Sequence, residues 1–398
     1  MTPLPDKKAV YIISRRRNNA QKHYFGATLT ETKYVLCRAL NGFNDQLNML
    51  QKCLKFAKET NRELIIDTSL GGLGRDYFDV FEHKFSDGVP IHSINDFTFE
   101  QLNGMSAWPD VIQGRIDTYE CHEKIGTKSG FSYYKVRGTS FNFGKSLDKS
   151  RDEKLVVFHA GGGGAYGAKW LQWAKLKKHL ADQILTRLVQ LPKDLIAMHI
   201  RYSDVKVDAD NLFALMREDL KGRNVLICTD NSGIRDVAKN KLDKSTNIIL
   251  LSDLSYATGE AGHMVADIRT KEPFLNDLFL DIAAMSGAQQ LMYTPATHRS
   301  GRPMVSGFAR LGDRARIYPE WQKNLLSLGD KKLNETYFNH GPPSLPKSDE
   351  MMAQLTTHYP ILYEARRSFH TEIDGANGVL AKKRFAKYRA ELASKKVS

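Results

Sequence analysis

The chain has 398 residues, 41% hydrophobic and 26% charged, with a formal net charge of +13; it is long enough for two cores and ordinary enough in balance to be globular. Four cysteines, Cys37, Cys53, Cys121 and Cys228, show no paired spacing, which argues against a disulfide framework and a zinc site. No stretch reaches the roughly 18 uninterrupted apolar residues of a membrane span, and "MTPLPDKKAVYIISRRRNNAQ" lacks a secretory signal's apolar core, so a cytoplasmic location is the expectation.

The positive charge favours anionic partners, whether nucleic acid, a membrane surface or a phosphorylated substrate, or serves solubility alone. Part of it lies in peripheral runs at 14–17 and 381–396.

In chain order, "YVLCRAL" (34–40) reads as a strand, followed by the loop "NGFND". A helix follows in which Leu47, Leu50, Leu54 and Ala57 share a face, and "ELIID" (63–67) is the next strand. Strand, Gly loop, helix and strand make a βαβ unit of a parallel sheet. Residues 68–150 read only as an irregular α/β region. Regular alternation resumes with the strand "KLVVFH" (154–159), the run "AGGGGAYG" and one long helix over 168–191. Strands at 194–200, 224–230, 247–254 and 289–294 then alternate with helices at 210–220, 234–242 and 272–286. This is the signature of a doubly wound sheet. Domain boundaries are expected at 1–189, 190–346 and a basic helical tail at 347–398.

Ligands of open parallel sheets bind beyond the carboxyl ends of the strands. Strand ends of the second half carry His199 and Arg201, then Thr229 and Asp230, Ser252 and Asp253, and Thr294. In "LIAMHIRYSD", His199 and Arg201 lie two apart and face the same way. An arginine fork grips phosphate oxygens with paired charge-assisted bonds. Arg201 therefore either stabilises a departing diphosphate or forms a structural ion pair with Asp204, and Asp204 could hold the fork in both cases. His199 is either a satisfied core histidine or a crevice group. Ser306, Gly307 and Phe308 in "VSGFARL" open a short helix whose N-terminus is either an anion site or an ordinary cap, with Arg299 and Arg302 just upstream. "GGGG" lacks the residues of a P-loop or a dinucleotide fingerprint and reads as a flexible crossover.

"HIRYSD" fits His-x-Arg-x-x-Asp, "GFNDQL" fits Gly-x-Asn-x-Gln, and "LFLDIAAMSGAQQLMYTP" is followed by "SGFARL". In that order, over about residues 34–318, these motifs resemble the metal-independent fucosyltransferase superfamily of GT-B fold, which includes α1,6-, nodulation-factor and protein O-fucosyltransferases. "THRSGRPMV" stands where members often carry a compact Ser/Thr cluster, and "RYSD" replaces a commoner second basic residue. The resemblance implies two Rossmann-like domains facing a cleft. It implies that Arg201 binds the β-phosphate of a GDP-fucose donor, that His199 contacts its nucleotide or sugar, and that Asp230 accepts hydrogen bonds from guanine. Ser306, Gly307 and Phe308 would line the diphosphate, and Gly42, Phe43 and Asn44 would face the sugar.

The implied reaction is an inverting displacement through an oxocarbenium-like transition state. Asp208 and Asp210 are either candidates for the acceptor's base or a helix cap and first-turn acid, and Asp208 is the assigned base. Arg201 and helix N-termini supply counter-charge, so neither a metal nor another cofactor is expected; "VDAD" (207–210) is the nearest approach to an Asp-x-Asp clamp. The acceptor is expected to be a glycan or glycoconjugate, and the basic C-terminus either touches anionic lipid or is a solvated helix. Competing readings are the same fold with another nucleotide sugar, a silent sugar-nucleotide binder, and a nucleic-acid-binding protein. The last has the charge but no recognisable binding motif.

Overall fold

In a computed structural model of the chain, the structure describes residues 31–82, 85–125, 132–143, 151–161, 167–202, 209–252, 271–293, 296–297, 303–304 and 306–339. The expected tail at 347–398 lies outside them. The first half builds strands β1 (Tyr34–Ala39), β2 (Glu63–Asp67), β3 (Phe85–Ser86), β4 (Val89–Ser93), β5 (Ala107–Trp108) and β8 (Leu155–Ala160), with a hairpin of β6 (Cys121–Ile125) and β7 (Ser132–Val136) beside them. Their sheet has the order β3-β4-β2-β1-β8-β5. All neighbours are parallel except β3 with β4.

The second half builds β9 (Ile196–Ile200), β10 (Asn224–Thr229), β11 (Asn247–Ile249) and β12 (Gln290–Tyr293) into a fully parallel sheet of order β11-β10-β9-β12. Taken in chain order within each half, the runs β4-β2-β1-β8 and β11-β10-β9-β12 share one arrangement, third-second-first-fourth. The chain therefore reverses direction beside the first strand of each sheet, β1 and β9. That reversal opens the crevice where doubly wound sheets bind ligands. The architecture is α/β with two Rossmann-like sheets, as expected for GT-B.

Helix α1 (Phe43–Glu59) follows β1 directly. It starts earlier than its leucine periodicity suggests, because Phe43 is buried, with its ring edge-on to Phe279 at 5.3 Å. The loop between β1 and α1 is thus only Leu40, Asn41 and Gly42. Next come the short helices α2 (Tyr77–Val80) and α3 (Phe99–Asn103).

The single long helix expected over 168–191 is instead two, α4 (Gly167–Trp170) and α5 (Lys178–Leu188). Tertiary pairing wins over the helical period here. Leu176 makes an antiparallel bridge to Phe81, the Lys177 N–H reaches Val80 at 2.9 Å, and the Leu176 N–H reaches Leu325 at 2.9 Å.

Helices α6 (Ala209–Met216) and α7 (Gly233–Lys241) cover one face of the second sheet, where Ile196, Met198, Val225 and Ile227 pack with Phe213 and Ile234. Helix α8 (Glu272–Gly287) covers the other face and joins a core that is continuous with the first half, from Val35 and Phe158 to Ala197 and Phe279. After the two-residue strands β13 (Ala296–Thr297) and β14 (Pro303–Met304) come α9 (Gly307–Ile317), α10 (Pro319–Leu325) and α11 (Lys331–Phe338). Strand β11 is shorter than expected because it is an edge strand, with Ile248 and Ile249 only half-buried.

Candidate functional site

The alternation of β9 sends Ala197 and His199 toward α8 and the first half, opposite Met198 and Ile200. His199 is buried, pairs in register with Cys228 on β10, and meets the Phe308 ring at 5.6 Å. Burial, reinforced by the positive charge of Arg201, pushes its imidazole down to about 4 despite the opposing pull of Asp230. His199 is consequently neutral near pH 7, offering one donor and one acceptor. Arg201 follows the strand's last residue and is half-buried. Asp230, just past β10, accepts the Tyr202 N–H at 2.7 Å, which ties the two strand ends together and commits one carboxylate oxygen to backbone.

From the other half, α1 points its N-terminus at the same place. Gly42 is the cap residue, and its carbonyl accepts from the Asp45 and Gln46 N–H groups at 2.9 and 3.0 Å. Asn44 is buried. A Cβ added to Gly307 would lie 2.5 Å from Asn44 Nδ2, so the first turns of α1 and α9 touch and a side chain at 307 would displace the Asn44 amide. Ser306 occupies the cap position of α9, is buried, and makes no capping hydrogen bond with its side chain. Two helices of 17 and 11 residues therefore bring their amide-rich, partially positive ends together beside Arg201.

The loop carrying Gly42 is clasped by Gln46. Its fully buried amide donates to Ala39 O at 3.0 Å and Thr68 O at 3.2 Å, and its carbonyl accepts the Leu73 N–H at 2.9 Å. The loop after β2 comes so close that a Cβ on Gly71 would lie 2.0 Å from Gln46 Nε2. The Gln of Gly-x-Asn-x-Gln is thus a staple rather than a contact residue. Asn41 lies over Gly161 at the end of β8, where a Cβ would lie 2.3 Å from Asn41 Nδ2, and the Tyr134 hydroxyl donates to Asn41.

The structure brings His199, Arg201, Asp230, Ser306, Gly307, Phe308, Gly42 and Asn44 into one region. Phe43 lies beneath it, buried with its ring against Phe279. Asp204, Asp208, Asp253, Thr294, Arg299 and Arg302 lie outside the described residues. Asp210 is an exposed first-turn acid of α6 paired with Lys241 at 3.0 Å, so the structural alternative holds for it. Ser252 accepts from Arg235, and Thr229 Oγ1 accepts the Asn231 N–H, so these two strand ends are engaged locally. Among the described residues, no three His, Cys, Asp or Glu side chains gather into a metal-sized group, and no helix is long and apolar enough to cross a membrane.

Sequence reading missed Asp45, the third residue of α1. Burial raises its carboxyl to about 6, with Arg201, Asn44 and Lys52 holding it down. The acid inside "GFNDQL" was visible, but its proximity to a residue 156 positions later (201 − 45) was not.

No family model matches the chain, and no curated protein matches it. Among solved structures it is similar to the fucosyltransferase NodZ from Bradyrhizobium, with 15% identity over 71% of this chain and 93% of that one and a TM-score of 0.48. The chain resembles fucosyltransferases. It is also similar to NodZ alpha-1,6-fucosyltransferase soaked with GDP-fucose, at 15% identity over 71% and 92% with a TM-score of 0.46. POFUT1 in complex with GDP-fucose gives 11% identity over 73% and 95% with a TM-score of 0.41. These are likenesses of outline, and the functional reading rests on the residues of the site.

Proposed function

We propose that the protein is an inverting glycosyltransferase that takes fucose from GDP-fucose to a hydroxyl of a glycan or glycoconjugate. The observation that carries this is the convergence of Arg201 with the N-termini of α1 and α9 at the reversal points of both sheets. Such a place suits a diphosphate: two helix N-termini in contact and one forked cation, built into a framework that needs no reorganisation. The sequence motifs His-x-Arg-x-x-Asp and Gly-x-Asn-x-Gln supply the choice of fucose and of GDP.

In this reading the acceptor oxygen attacks the anomeric carbon while the bond from that carbon to the diphosphate oxygen breaks, and GDP leaves from the opposite face. Arg201 and the two helix ends take up the charge that accumulates on the leaving group. Neutral His199 contributes a hydrogen bond to the donor without adding charge. Asp208 remains the candidate for the acceptor's proton. The cationic counter-charge comes from the protein, so turnover is expected without a divalent metal, in the cytoplasm, on an acceptor presented in solution or at a lipid surface.

The test is thermal unfolding with GDP, GDP-fucose, UDP and ADP, all in a chelator. Stabilisation by the guanine nucleotides alone, lost in Arg201→Ala, supports the reading; an equal response to all four, or to none, overturns it. Labelled donor with an acceptor panel then reports transfer.

A further inference from the structure

The turn of Leu40, Asn41 and Gly42 aims α1, the helix whose first residues meet α9. At Asn41 its backbone is left-handed, with a φ of 66°. Glycine adopts that conformation at least cost, because it has no Cβ to crowd the following carbonyl. Asparagine stands there instead, and the neighbouring elements are built around its amide. Asn41 Oδ1 accepts the Tyr134 hydroxyl of β7, and the amide fills the space beside Gly161, where a Cβ would lie 2.3 Å from Nδ2. We infer that Asn41 is a positioning residue for the donor site: its side chain, held between Tyr134 and Gly161, fixes the direction in which α1 presents its first-turn N–H groups to the diphosphate, and so makes the β6–β7 hairpin part of donor binding. This rests on the donor-site reading above.

The backbone of the turn is flanked on both sides. The Leu40 N–H donates to Ala160 O at 3.1 Å, which extends β1 along β8. On the other flank, a Cβ on Gly72 would lie 2.8 Å from Phe43 N and 3.1 Å from Asn41 O, so the loop after β2 runs against the turn. The Asn41 side chain adds the hairpin as a third element. Tyr134 is buried, and its ring lies at 11° to the His159 ring with centroids 6.4 Å apart. His159 Nδ1 is 3.0 Å from the Tyr119 hydroxyl, and Arg38 sits over the Tyr119 ring at 5.0 Å while pairing with Asp67 at 3.1 Å. The hydroxyl that reaches Asn41 is thus backed by side chains from the carboxyl ends of β1, β2 and β8.

Gly161 opens the four-glycine run at 161–164. Room for the Asn41 amide gives that first glycine a steric reason of its own. A residue directly before the helix cap sets the angle at which the helix leaves the sheet. With the amide removed, a glycine at position 41 can keep the left-handed backbone but has more conformations open to it. The first turn of α1 then has to be ordered by the ligand, and ordering a segment on binding lowers affinity. An asparagine that served folding alone would lower stability and leave the diphosphate affinity of the folded protein unchanged.

The experiment is calorimetric titration of the full chain with GDP and with inorganic pyrophosphate, at a temperature where circular dichroism shows every variant folded. The proteins are wild type, Asn41→Gly, Tyr134→Phe, the double variant and Arg201→Ala. Asn41→Gly keeps the left-handed backbone and removes the amide; Tyr134→Phe keeps the buried ring and removes only the hydroxyl. Each is expected to weaken GDP and pyrophosphate alike, by roughly three- to tenfold, and the double variant to do no more than Asn41→Gly alone. Amide hydrogen exchange without ligand is expected to quicken over residues 42–46 in both single variants. Unchanged diphosphate affinity in either single variant, or losses that multiply in the double variant, overturns the inference. A loss confined to GDP overturns it too, because the effect would then lie at the base. If Arg201→Ala weakens both ligands while Asn41→Gly and Tyr134→Phe match wild type, only the inference fails. Faster exchange in both variants with no diphosphate bound by wild type discards the donor site and the role of Asn41 in it.

Discussion

Gln46→Met isolates the staple beneath the site. The replacement keeps an unbranched chain of similar length, so the change is chiefly one of hydrogen bonding. Gln46 is fully buried and serves three backbone groups: the Ala39 and Thr68 carbonyls at 3.0 and 3.2 Å and the Leu73 N–H at 2.9 Å. Leaving a buried polar group unmatched costs about 1–3 kcal/mol; the Thr68 carbonyl keeps the Gly71 N–H at 3.2 Å, so the loss falls on the Ala39 carbonyl and the Leu73 N–H and is expected to be about 2–5 kcal/mol. That is a large share of the ~5–15 kcal/mol that keeps a typical domain folded. Urea denaturation measures it, with Lys55→Met as the control. Lys55 is 74% exposed and its pair with Glu59 is 3.6 Å long, so that change should stay within ~0.5 kcal/mol. A loss under about 1 kcal/mol for Gln46→Met would refute the staple, because the Ala39 carbonyl and the Leu73 N–H would then have to find partners elsewhere.

Gly307→Ala places a methyl 2.5 Å from Asn44 Nδ2 and displaces that amide where the first turns of α1 and α9 meet. Stability should change by less than about 1 kcal/mol, since the alanine's helix propensity offsets part of the strain, while GDP affinity drops roughly tenfold or more by titration. Arg201→Ala should raise the transfer barrier by about 2–4 kcal/mol, and Arg201→Lys should recover only part of this because a lysine cannot fork, as measured by kcat/KM. Asp281→Asn should stabilise the protein above neutrality. Burial, with Asp277 alongside, raises the Asp281 carboxyl to about 8. Between its ordinary value and about 8 the folded state keeps a proton that the unfolded state releases, so stability falls as pH rises through that window. Thermal melts should show a shallower decline in the variant, with a gain of a few kcal/mol by the top of the window; parallel curves would refute it.

What was legible in the sequence was what local pattern encodes. Apolar runs such as "IAMHI" and "NVLICT" became β9 and β10 because a buried parallel strand needs an unbroken apolar run. The same strand ends supplied His199, Arg201 and Asp230. Residues 68–150 were illegible because strands such as Ala107–Trp108 are two residues long and exist only by pairing with β8. The break at 171–177 was hidden because the bridge to Phe81 and the Leu325 carbonyl lies far away in the chain. Asp45 was hidden because its burial arises only in the folded chain, while the role of Gln46 appeared only once the loop after β2 was seen folded onto it.

The most direct measurement is a structure of the protein crystallised with GDP in a chelator, read at the Arg201 guanidinium. The account predicts two N–H···O contacts of about 2.7–2.9 Å from Arg201 to the β-phosphate, with that phosphate between the first turns of α1 and α9. GDP lodged elsewhere, or Arg201 engaged wholly by protein groups with the nucleotide bound, would contradict it.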